Sequence, residues 1–405
     1  MFNQKFVINK LLKLFVFAVC GFVVFDLLSG GDNINIFFKE AKTNKAVVVQ
    51  SDKIVNEINE DSDENILLDE SDDPEKPASD EHLRILAFGD MMLGRHVRTL
   101  MNKYGMDFIF EKIKPDKDSE WFYENTDFVF GNFEGPINGK GSSGGTSMVF
   151  SFNEDVAQFL KAYGFNILSI ANNHAIDQGW SGREKTVKAF NDADLGWCGH
   201  PSEEEEGSVY YGEGGVRVSI DDSSGGLFTD GEKVAFVCFH DITSRLNLEN
   251  AIALIEEVKE NSDYVIVSVH WGVEYSHKPN RTQTDYGHAF VDAGADFVIG
   301  HHPHVVQSFE EYNGKFIFYS LGNFVFDQYW STDTQEELAL GIDLSHDGNV
   351  LKTVVNLFPM KSERSQSRLM TDDEKKKWIQ KFVSYGNYDE DTKAEIENFE
   401  IVASE

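Results

Sequence analysis

From Arg84 onward the sequence is a succession of short apolar runs, RILAF, DFVFG, FNILSIA, KVAFVCF, YVIVSV, ADFVIG and KFIFYSL, each closed by polar residues. Short runs rich in β-branched and aromatic residues, bounded in this way, read as buried strands. Between several of them lie amphipathic stretches at 154–163, opened by Asn153 and closed by Gly164, at 182–193 after Ser181, and at 249–260. Strands apolar on both faces must be covered on both, so the alternation predicts an α/β architecture around a largely buried sheet. Further on, LALGIDLSHDGNV and LKTVVNLFPM alternate like an antiparallel pair turning at Asp347-Gly348. A helix over 372–385 follows, with Thr371 and Glu374 as a capping box and Gly386 as its stop. One domain over 83–390 accommodates these elements and leaves 391–405 as an acidic tail.

The N-terminus has a different texture. Lys5, Lys10 and Lys13 precede an apolar stretch from Leu14 to Phe25, extended by Leu27 and Leu28 past Asp26, which is the pattern of a secretory signal or signal anchor. A helix over residues 11–28 spans about 27 Å, just enough for a bilayer. Residues 1–31 are therefore expected to be an uncleaved anchor, with cleavage after Ser29, Gly30 and Gly31 as the alternative. The preceding lysines direct the rest of the chain to the extracytoplasmic side of the cell membrane, or to secretion if the segment is removed. Residues 51–82 carry thirteen Asp or Glu against two Lys, so 32–82 reads as an extended acidic linker.

The formal charge of −33 excludes nucleic acid as a partner, since phosphate backbones are bound by Lys and Arg. An anionic substrate would need a local cation such as a metal. The three cysteines, Cys20, Cys198 and Cys238, are too few for a disulfide framework. A single Cys198–Cys238 bridge is open to the chain outside the cytoplasm, and two buried thiols are the favoured reading.

The residues that close the apolar runs carry the chemical signal. In chain order they are Asp90, then Asn132 and Glu134, then Asn172, Asn173 and His174, then His270, then His301, His302 and His304, and finally Asn323. In open α/β sheets ligands bind beyond the carboxyl ends of the strands. Singly, each residue has a plain structural explanation as a cap, a turn residue or a satisfied buried histidine. Together, Asp, Glu, Asn and several His without cysteine form the mixed oxygen and nitrogen donor set of Mn, Fe or Zn sites. In His302-Pro303-His304 an extended backbone would project both imidazoles to one side. The Gly/Ser loop GKGSSGGTS at 139–147 lacks the order of a P-loop, and no G-x-S-x-G elbow occurs.

The ordered motifs FGDMMLGR, GNFEGPI, SIANNHAIDQG, VSVHWGVEY, GADFVIGHHPHVVQ and YSLGNFVFD resemble the CapA capsule-synthesis family, also called the poly-γ-glutamate biosynthesis family, of the calcineurin-like metallophosphoesterase superfamily. The resemblance covers about residues 84–390. It implies a four-layer α/β sandwich and one or two divalent metal ions at the strand ends. Carried over by position, it implies Asp90, Glu134 and His304 on one ion, and Glu134, Asn173, His270 and His302 on the other. His174 would be a general acid oriented by Asp177, and Arg95 would hold a substrate phosphate or carboxylate. The wider superfamily's Asp-x-His motif is broken here, because Met92 stands where its histidine is expected and leaves the first ion three protein ligands. His301 would lie on the opposite side of an extended segment from His302.

The resemblance implies a membrane-anchored subunit for making or exporting an anionic polymer such as poly-γ-glutamate, with polymer-synthase subunits as partners. A metal-dependent hydrolase of phosphoesters or polymer amide bonds, and a non-catalytic polymer-binding subunit, are the alternatives.

Overall fold

The computed structural model describes residues 83–139, 148–199, 233–346 and 350–403, and beyond these gives only the backbone of short strands. All of these residues lie in the second of two compact units, Pro77–Glu405. The expected anchor at 1–31 and linker at 32–82 lie outside the described residues. Among the described residues no helix is long and apolar enough to cross a membrane.

Two sheets form the centre. In the first, β1 (His82–Met91), β2 (Phe128–Phe133), β3 (Ile167–Ser169) and β4 (Gly196–Cys198) run parallel. They are joined through α1 (Arg95–Tyr104), α2 (Val156–Ala162) and α3 (Gly179–Asp192), as parallel pairing demands of its crossovers. In the second sheet, β5 (Val209–Glu213) and β6 (Val216–Val218) flank the parallel strands β7 (Lys233–His240), β8 (Tyr264–His270) and β9 (Phe297–His301). Helices α4 (Leu248–Lys259) and α5 (Arg281–Asp292) connect these three. The antiparallel pair β10 (Phe309–Tyr312) and β11 (Lys315–Phe318) closes that sheet's far side.

Alternating side chains show how the layers stack. On β1, Ile85 and Ala87 join Phe128 and Phe130 of β2, Phe236 of β7 and Ile266 of β8 in one core between the sheets. Their neighbours Leu86 and Phe88 instead pack with Val97 of α1, Leu160 of α2 and Phe190 of α3. On the other side, Val237, Val267 and Val298 meet Ile255 of α4 and Phe290 of α5. Helices, sheet, sheet and helices make the expected four-layer sandwich, and the unbroken apolar strands follow from it because each is covered twice.

The first sheet continues through β12 (Asn323–Val325), which runs parallel to β1, and β13 (Glu336–Asp347), which is antiparallel to it. The expected hairpin is present: β13 pairs with β14 (Val350–Glu363) in the register Asp347↔Val350. β15 (Gln366–Leu369) follows, and then α6 (Asp372–Val383) with the Thr371–Glu374 capping box in place. Helix α2 begins after Asp155 rather than Asn153, and α3 begins at Gly179, ahead of Ser181.

Two expectations are corrected. Residues 391–405 are not a free acidic tail: α7 (Glu390–Glu397) and β16 (Glu400–Ser404) belong to the domain, and β16 pairs with β14. Ile396, Ile401 and Ala403 are buried in the core between the sheets, and these few apolar positions outweigh the charged residues around them. Cys198 and Cys238 are joined as a disulfide, with Cα atoms 5.4 Å apart. It ties β4 of the first sheet to β7 of the second through the shared core.

Candidate metal centre

The carboxyl ends of β1, β2, β8 and β9, with the loops after β3 and β9, meet at one edge of the sandwich. Gly89 makes the approach feasible: a Cβ there would lie 2.0 Å from the carbonyl oxygen of Gly322. Without one, the Asp90 amide donates to that carbonyl at 3.0 Å, and Asn323 comes into register with Asp90.

Asp90 is fully buried and is the hub. Its Oδ1 accepts from Asn132 Nδ2 at 2.8 Å and lies 3.3 Å from His301 Nδ1. Its Oδ2 accepts the backbone N–H of His302 at 3.2 Å and lies 3.3 Å from His304 Nδ1. Burial works against the Asp90 charge, but His301, His304 and His270 outweigh it and hold the carboxyl well below the usual range. All three histidines of the HHPH run therefore reach Asp90, His302 through its backbone. The segment does so because it is not extended: His302 and His304 have φ of 97° and 57°. Such backbone is costly outside glycine and persists where surrounding contacts enforce it. His301 is consequently not turned away from the site, as alternation along an extended strand would require.

Two groups of donor atoms result. Ligand atoms of Asp90, Glu134 and His304 all lie within 4.8 Å of one another. Glu134 is completely buried, and neither carboxylate oxygen has a hydrogen-bond partner. His304 Nε2 and His174 Nε2 each stand 3.8 Å from Glu134 Oε1. Burial raises the Glu134 carboxyl to about 7, aided by Asp90 and opposed by His304 and His174. Burial disfavours charge on His304 too, but Glu134 and Asp90 prevail and lift it to about 9. A buried carboxylate with both oxygens orphaned is costly unless a cation completes it. The donor set therefore fits a divalent ion, which would expel the protons on Glu134 and His304.

The second group is Asn173, His270 and His302. His270 Nε2 lies 2.8 Å from Asn173 Oδ1 and 3.1 Å from His302 Nδ1. Burial depresses His270 well below the usual histidine value, and burial with the neighbouring His304 takes His302 to about 3. Both rings are neutral at physiological pH.

His174 stands at the rim of the first group. Its Nδ1 is 2.8 Å from Asp177 Oδ2, which also accepts the Phe150 backbone N–H at 2.6 Å. The Phe150 ring stacks on the imidazole, centroids 4.0 Å apart. Arg95 is not presented to a substrate. It is buried in a two-pronged ion pair with Asp327, and its guanidinium lies 5.1 Å from the centre of Phe150 and 5.6 Å from that of Phe326. Phe326 in turn sits 5.0 Å from the His304 ring, so Arg95 braces the two rings that wall the site. Met92 is buried against the helix layer, with its Sδ accepting from the Gly94 N–H at 3.2 Å, and it offers nothing to the centre.

Sequence reasoning gave no role to Asn132, Asn323, Phe150, Phe326 or Asp327. Asn132 and Asn323 were visible as strand ends, and Asn323 Oδ1 lies 3.1 Å from His304 Nδ1. The two phenylalanines carry no polar signal among 33 of their kind.

A four-layer α/β sandwich with carboxylates, amides and imidazoles gathered at its strand ends has the metallophosphoesterase-like fold. Residues 84–328 match the family described as bacterial capsule synthesis protein PGA_cap, and the chain belongs to that family. It is 37% identical over 297 residues to the capsule biosynthesis protein CapA of Bacillus anthracis, covering 70% of this chain and 69% of the relative. It is 35% identical over 280 residues to the PGA biosynthesis protein CapA of Bacillus subtilis, covering 67% and 70%. A probable polyglutamine synthesis accessory protein of Mycobacterium tuberculosis is 26% identical over 288 residues, covering 60% and 74%.

Proposed function

We propose that this protein serves the synthesis or export of an anionic capsule polymer of the polyglutamate type, carrying a metal-dependent hydrolytic centre on a membrane-anchored, outward-facing domain. Kinship with capsule and polyglutamate biosynthesis proteins supports the role in capsule formation. The hydrolytic reading rests on one observation, the orphaned Glu134 carboxylate beside Asp90 and His304. The anchored location rests on the N-terminal lysines and apolar run alone, and partner synthase subunits on the relatives' names.

Asp90, Glu134 and His304 would hold a divalent ion, which would supply Lewis acidity and activate water at neutral pH. The chain's own groups do the rest. Asp177 holds His174 by Nδ1, so Nε2 faces Glu134 and can give a proton to a leaving oxygen or nitrogen. Phe150 and Phe326 exclude water from one wall and fix both imidazoles by contact.

The test is a titration of the purified protein with Mn or Zn, followed by assays on an aryl phosphate and on polyglutamate. Metal-dependent cleavage of either, abolished in Glu134→Ala, is expected. A protein that binds no metal, or cleaves equally well as Glu134→Ala, overturns the hydrolytic reading and leaves a polymer-binding subunit.

A further inference from the structure

The family resemblance leaves open one ion or two, but the two donor groups differ in one respect that separates them. Glu134 has no partner for either oxygen, whereas the nitrogens of His270 are already engaged. The decisive residue is Asn132, whose amide lies beneath both groups.

The direction of that amide is fixed twice over. Asp90 Oδ1 can only accept, so the atom 2.8 Å from it is Nδ2. Asn132 Oδ1 on the other side accepts from Asn172 Nδ2 at 3.2 Å. Asn172 is itself oriented by the Phe133 carbonyl, to which its Nδ2 donates at 3.0 Å, and by the His174 backbone N–H, which its Oδ1 accepts at 3.2 Å. Reversing Asn132 would set oxygen against oxygen at Asp90. The second hydrogen of Nδ2 therefore points at His270 Nδ1, 3.2 Å away, and that nitrogen must accept. A neutral His270 then carries its proton on Nε2, where it is donated toward Asn173 Oδ1 and His302 Nδ1. A metal-ligating nitrogen needs a bare lone pair and usually has its other ring nitrogen donating, not accepting. His270 has the opposite arrangement.

We infer that this centre holds a single divalent ion, at Asp90, Glu134 and His304, and that Asn173, His270 and His302 form a hydrogen-bonded scaffold in place of a second ion site. The inference rests on the metal-site reading above and reverses the emphasis of the sequence. The broken Asp-x-His motif pointed to loss of the first ion, while the hydrogen bonds of Asn132 remove the second.

The experiment is metal stoichiometry on the full-length protein after dialysis against Mn, with electron paramagnetic resonance to distinguish isolated from exchange-coupled ions. One equivalent with an uncoupled spectrum is expected. His270→Ala should keep that equivalent, and Glu134→Gln should lose it or weaken it roughly tenfold or more. Asn132→Ala withdraws the donor from His270 Nδ1 without setting an oxygen against Asp90, which lets the ring move its proton off Nε2, so it is expected to take up a second equivalent; a folded variant that stays at one overturns the role given to Asn132. Two coupled ions in the unaltered protein overturn the inference while leaving the metal centre standing. No bound metal overturns both. If Asn132→Ala does not fold, as a thermal melt would report, the stoichiometry of the unaltered protein and of His270→Ala decides alone.

Discussion

Replacing Asp327 by alanine takes a carboxylate away from a buried cation. The Arg95 and Asp327 side chains are 7% and 2% exposed, so neither charge can fall back on water. Asp327 accepts from Arg95 Nε at 3.2 Å, from Arg95 Nη2, and from the His96 backbone N–H at 3.0 Å. All three bonds vanish in Asp327→Ala, and the buried guanidinium loses the carboxylate that balanced its charge. Removing one partner of a buried pair costs about 3–5 kcal/mol, whereas an exposed pair is worth about 1 kcal/mol or less. Replacing both partners with apolar side chains is often near neutral, so the Arg95→Met, Asp327→Leu double variant is expected to be more stable than Asp327→Ala alone. Equilibrium urea unfolding with the disulfide kept intact measures both. A loss below about 1 kcal/mol in Asp327→Ala, or a double variant no better than the single, would refute the claim that Arg95 is a buried brace.

Three further outcomes follow from other parts of the molecule. Asp177→Ala removes the partner of His174 Nδ1 and should lower turnover roughly 10²- to 10⁴-fold with metal content unchanged; unaltered turnover in a metal-replete sample would sink the proton-transfer role. Gly89→Ala drives a methyl into the Gly322 carbonyl and should cost about 1–3 kcal/mol together with metal affinity, seen as a lower melting temperature and weaker titration; a wild-type melt would count against the close approach. Glu337 is fully buried, with one oxygen bonded by Ser367 and the other unpartnered, and burial raises its carboxyl well above the usual value. The folded state thus holds a proton the unfolded chain releases, so stability is full below the ordinary glutamate pKa and falls as pH climbs toward the folded one. Glu337→Gln lacks that decline, and its denaturation midpoint should gain on the unaltered protein between pH 5 and 8; an equal difference at both pH values contradicts this.

The architecture was legible because its strands are covered on both faces, which forces continuous apolar runs such as KVAFVCF and YVIVSV and ends them abruptly in polar residues. The same punctuation exposed Asp90, Glu134, His270, His302 and His304. What escaped was direction. Alternation along a strand said that His301 faces away from His302, but positive φ at His302 and His304 turns the loop so that all three histidines reach Asp90. Arg95 looked like a substrate clamp because its partner lies 232 positions away, beyond any local pattern. The terminal segment looked like an acidic tail because composition weighs every residue equally, whereas Ile396, Ile401 and Ala403 are buried, Phe399 packs beside them and β16 pairs with β14.

The bridge between the two sheets also serves as a record of where the chain folded. Both sulfurs belong to residues with no exposed surface, so an oxidant must reach them before the sheets close upon each other. Disulfides persist in oxidising compartments and are rare in the cytosol. A molecule that folded inside the cell would carry the free thiols of both Cys198 and Cys238 when denatured, and one that folded outside would carry neither, whether or not Cys20 is retained. Counting thiols in protein taken from cells therefore reads the sidedness of the domain, independently of any property of the N-terminal segment.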